Sequence, residues 1–167
     1  KRTCMMLAVA LSNIRMYYDE KYDRTTFIKN IISDNTLPLD VHQRARQLRI
    51  EYEQHRVVFI VKVVQAGDVA ALDIFLEMFP ENELDFVFSM DEETIVFVKQ
   101  IEEDTSESDL EALAQTIIDN LNSEALLNVL VGISTPTENL SGLAAAYREA
   151  QVALEVGRVF DSDKYIL

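Results

Sequence analysis

The chain has 167 residues, 49% of them hydrophobic and 26% charged, a balance that fits an ordinary globular domain and excludes a disordered or fibrous protein. Its 29 acidic residues against 15 basic ones give a formal charge of −14, which opposes unaided binding to a nucleic-acid backbone or an anionic membrane, because both need Lys and Arg. The single cysteine, Cys4, excludes an internal disulfide and a cysteine-built zinc site. No apolar run approaches the roughly 18 residues that cross a bilayer, and the opening Lys-Arg-Thr-Cys-Met-Met lacks the apolar stretch of a signal peptide, so a cytoplasmic location with no membrane partner is expected.

Cys4, Leu7, Leu11, Ile14 and Tyr18 recur at spacings of three and four, the seam of a coiled coil held for just over two heptads. Two readings stand: a dimer seam on a signalling helix, or an amphipathic helix lying on its own domain. A second helix is expected from about Thr25, capped by Asp23, with Phe27, Ile28, Ile31 and Ile32 as its stripe; Asp34, Asn35 and Pro38 then break it. A short helix from near Asp40 to Leu48 follows.

Arg56 to Val64 is almost wholly apolar and β-branched, as expected of a strand covered on both faces, and Lys62 is its only interior charge. Gly67 and Asp68 open a helix with the stripe Val69, Leu72, Phe75, Leu76 and Phe79, which Pro80 stops. Asp85 to Ser89 and Thr94 to Ile101 read as strands joined by Met90-Asp91-Glu92-Glu93, hence a hairpin, although its turn holds no glycine. Ser108 and Glu111 have the spacing of a capping box for a helix buried through Leu110, Leu113, Ile117 and Leu121. A strand from Asn128 to Ile133, a helix from Leu140 to about Phe160, and a strand beginning at Tyr165 complete the chain.

From Arg56 onward the order contains the βαββαβ unit of ferredoxin-like folds, so an α/β (α+β) fold is expected, with an antiparallel-rich sheet, flanking helices and N-terminal helices ahead of it. The expected division is an N-terminal signalling helix over 1–22, a helical linker over 23–55 and the sheet domain over 56–167. Polymerase palms, cyclases and sensors share this fold, so the fold does not choose among them.

The stretch from Val131 to Arg158, with its core VGIS, LSGL and AYREAQVALEVGR, carries Gly132, Leu140, Leu143, Tyr147, Arg148, Ala150, Ala153, Leu154 and Gly157. In this it resembles the GGDEF-like domain of CdaR/PucR-type bacterial transcriptional regulators, and the segments starting at Phe27 and Ala45 look similar too. The resemblance implies a degenerate cyclase domain of the GGDEF/palm type, placed between an upstream sensor and a downstream helix-turn-helix. A chain that starts at Lys1 and leaves seven residues after Phe160 is then expected to be the middle portion of such a regulator, a homodimer that reaches DNA only through a helix-turn-helix outside this chain. The alternative is a sensing domain that binds a small-molecule effector, such as a sugar diacid, purine or nucleotide, in a pocket of its own.

Active cyclases of this fold need a carboxylate near the end of the first strand and a Gly-Gly-Asp/Glu-Glu-Phe hairpin, because metals stabilise the developing phosphate charge and glycines admit the nucleotide. Here the strand ends Val61-Lys62-Val63-Val64, and the hairpin is acidic without glycine. No enzyme activity, catalytic residue, metal ligand or cofactor is therefore expected. The acidic run from Glu102 to Glu111 reads as a helix start favoured by the macrodipole, and His42 and His55 lack metal-ligand spacing. His42, Arg44, Arg46, Arg49, His55 and Arg56 form the one basic cluster; an acidic metabolite, an acidic face of a second subunit, or a solvated helix face with local ion pairs would each account for it.

Overall fold

The computed structural model describes residues 2–65, 71–80 and 82–160. The described elements in chain order are α1 (Arg2–Ile32), α2 (Pro38–Gln47), β1 (Arg56–Gln65), α3 (Ala71–Met78), β2 (Phe86–Ser89), β3 (Thr94–Gln100), α4 (Glu107–Ala125), β4 (Asn128–Ile133), a 3₁₀ turn (Leu140–Gly142) and α5 (Leu143–Phe160). The strands form one sheet in the order β2-β3-β1-β4 with every neighbouring pair antiparallel, which is the strand order that the βαββαβ unit predicts.

β1 lies inside the sheet, and its alternation divides the core. Val57, Phe59, Val61 and Val63 face α3 and α4, where they meet Phe75, Leu110, Ile117 and Leu121. Val58 and Ile60 face the other way, toward Phe27, Ile28, Ile31 and Ile32 of α1, Val41 and Ala45 of α2, and Leu143, Ala150 and Leu154 of α5. A strand buried on both sides must be apolar throughout, which explains its composition. Each fully buried Val, Ile, Leu or Phe contributes about 1.5–3 kcal/mol, so these two layers hold the domain.

α5 can pack closely on β4 because residue 132 is glycine. A Cβ there would sit 2.6 Å from the Ala150 carbonyl oxygen and 2.8 Å from Leu154 Cγ, closer than non-bonded atoms approach. The 3₁₀ turn that leads into α5 is held by Asn139, whose side chain accepts from the Gly142 N–H at 3.2 Å.

Several expectations need correction. No break occurs at Asp23: one continuous helix covers what was expected as a signalling helix and the start of a linker, since Tyr22-Asp23-Arg24 contains nothing that stops a helix. The 23–55 segment also supplies much of the core on the α5 face, so it packs as part of the sheet's own layer. Cys4, Leu7, Leu11 and Ile14 are exposed and do not lie on the domain, while the side chain of Tyr18 falls outside the described set. The capping box is Ser106 with Asp109, not Ser108 with Glu111: Ser106 Oγ accepts from the Asp109 N–H at 3.2 Å, and the Asp109 carboxylate accepts from the Ser106 N–H at 3.3 Å. Ser106 has the extended backbone a cap needs, whereas Ser108 is already inside the first turn. The expected Gly67-Asp68 helix start and the strand beginning at Tyr165 lie outside the described residues.

The ends of three helices use left-handed residues other than glycine: Asp34 (φ 59°) after α1, Arg49 (φ 57°) after α2 and Leu126 (φ 53°) after α4. After α1 and α2 the following amide reaches back to close the helix, Asn35 N–H to the Asn30 carbonyl at 3.0 Å and Ile50 N–H to the Ala45 carbonyl at 2.9 Å. No described helix is long and apolar enough to cross a membrane.

Candidate functional site

The resemblance to cyclase domains implies that any chemistry would lie where the hairpin meets the neighbouring strand, so the candidate site is built from β1 and the β2–β3 turn. Lys62 of β1 is paired with Thr94 of β3 on one side and with Leu130 of β4 on the other. The Val63 N–H donates to the Glu93 carbonyl at 2.8 Å, which ties the turn to the strand. The turn forms without glycine because Asp91 replaces it with an Asx turn, its Oδ1 accepting from the Glu93 N–H at 2.8 Å. The Met90 N–H bonds the Thr94 carbonyl at 3.0 Å, and Met90 packs against the core on the α5 side.

Electrostatics mark the neighbours of this turn. The Asp91 carboxyl is held below its ordinary range chiefly by the Glu93 backbone N–H, with further help from Thr94 and the positive charge of Lys62. The Tyr147 phenol on α5 is pushed up, first by burial and then by the negative charge of Asp91. Its oxygen accepts from Gln151 Nε2 at 3.2 Å, and Lys29 of α1 donates to the Ser89 carbonyl at 3.1 Å. Lys62, Asp91 and Tyr147 therefore share one locality, and Lys29 clamps the end of β2.

This donor set does not match a pair of divalent cations. The position at the end of β1 carries an ammonium group, Asp91 already accepts backbone hydrogen bonds, and Glu92 and Glu93 are exposed turn residues. Among the described residues no group of three His, Cys, Asp or Glu side chains could hold a metal ion. The arrangement can orient a turn and seat it on α1 and α5. It offers no bare peptide against which a nucleotide phosphate could lie.

The residues that gave the resemblance serve packing and loop geometry. Gly132 admits α5, Ser134 Oγ accepts from the Val58 N–H at 3.0 Å, and Ser141 Oγ shares a 2.7 Å hydrogen bond with Tyr52 Oη. Residues 33–156 match the sequence profile of the GGDEF-like domain. The chain belongs to the GGDEF-like domain family. Among solved structures it is similar to the GGDEF domain of TpbB (YfiN) from Pseudomonas aeruginosa, at 13% identity, 91% coverage of this chain, 88% of that chain and a TM-score of 0.44. No curated protein matches it.

The basic cluster does not converge. Arg44 and Arg46 are exposed and two residues apart, so they project to different sides of α2, and Arg44 bonds Gln47 Oε1 at 3.1 Å. His42 stacks on Tyr52 with ring centroids 3.6 Å apart. Arg56 is not a surface residue of this GGDEF-like domain at all: it is 1% exposed. Its Nη2 donates to the Glu51 carbonyl at 2.7 Å, while Nε and Nη1 are buried without a partner. Burial brings its pKa down to about 10, against the opposing pull of Glu51 and Asp85.

Sequence reasoning missed that burial, yet a signal existed: Arg56 shares the even-numbered face of Val58 and Ile60. The Lys29 clamp and the nearness of Tyr147 to Asp91 had no local signal. Both contacts join segments at least fifty residues apart in sequence.

Proposed function

We propose that this domain is a non-catalytic, homodimerising relay from a cytoplasmic bacterial transcriptional regulator of the CdaR/PucR type. α1 receives the input of an upstream sensor, and the sheet domain positions a helix-turn-helix that lies outside this chain. The observation that carries the reading is the division of α1. Its second half is buried through Phe27, Ile28, Ile31 and Ile32, while its first half presents Leu7, Leu11 and Ile14 to solvent at seam spacing. A continuous helix of this kind transmits rotation or separation from its free end to the sheet.

Lys62 and the glycine-free turn support the non-catalytic part of this reading, since they lack the anionic ligands and the bare backbone that nucleotidyl transfer uses. The charge of −14 favours assigning DNA contact to another domain.

Sedimentation of the protein beside a Leu7→Glu/Leu11→Glu variant tests the relay. The expected result is a dimer that becomes a folded monomer in the variant; a wild type that stays monomeric at every concentration overturns it. Incubation with GTP and magnesium is expected to yield no cyclic product, and enzymatic turnover would overturn the non-catalytic reading.

A further inference from the structure

We draw no further inference here: the strongest candidate, the exposed apolar stripe of Met5, Val9 and Met16 on the first half of α1, carries nothing because nothing in the structure shows what covers it.

Discussion

The two halves of α1 are both rich in large apolar residues, yet Ile28 is fully buried while Met5, Leu7 and Leu11 are more than half exposed. What separates them is a partner. The second half rests on β2, α5 and the sheet core; the first half leaves that support, and no described side chain covers it. Apolar composition therefore does not report burial within this domain, and the first half stands as an exposed apolar surface.

Ile28→Ala breaks the comparison most strongly. Its cavity is expected to cost about 2–5 kcal/mol in chemical denaturation, while Leu11→Ala in a monomer, measured at low concentration, should stay within about 0.5 kcal/mol. Similar losses in the two variants would show that the first half also supports the monomer. Arg56 is the reverse mismatch, a charge inside rather than apolar groups outside. Arg56→Met removes a desolvated cation with two unpartnered nitrogens, and should leave stability unchanged or raise it by up to about 1 kcal/mol. A loss of several kcal/mol would instead mean that the bond to Glu51 and the nearby carboxylates outweigh its burial.

Leu126 is exposed and apolar like the first half of α1, but a local backbone role accounts for it, since it closes α4 in the left-handed region at φ 53°. Leu126→Gly should raise the unfolding free energy by about 0.5–1 kcal/mol because glycine adopts that conformation without steric strain. The smallest effect belongs to Asp91. Its folded pKa is depressed, so its stabilising contribution is present above the unfolded pKa and is lost as pH falls through the folded value. Asp91→Asn should flatten that acid limb of a stability-against-pH profile while leaving the relative behaviour of Ile28 and Leu11 unchanged.

Much of the fold was legible because local pattern and tertiary role agree. The β-branched run of β1 specifies a strand covered on both faces, and the apolar spacing of Leu110, Ile117 and Leu121 specifies the inner face of α4. Where two local signals compete, the pattern misleads: Ser106 and Ser108 are both plausible caps, and only the extended backbone of Ser106 decides. Asp23 has a favourable cap residue type, but a cap also needs a helix break, and the residues beside it supply none. The glycine-free turn and Lys62 could be read from the chain alone. The Lys29 bond to Ser89 could not, because sequence spacing carries no record of which distant segments meet.

α1 also sets a mechanical scale. At about 1.5 Å per residue, the segment before Lys21 extends roughly 28 Å from its seat, so a tilt of about 10° at the base would carry the tip through about 5 Å. A displacement that is small beside the buried Ile28 would thus reach the far end as a change of molecular dimensions.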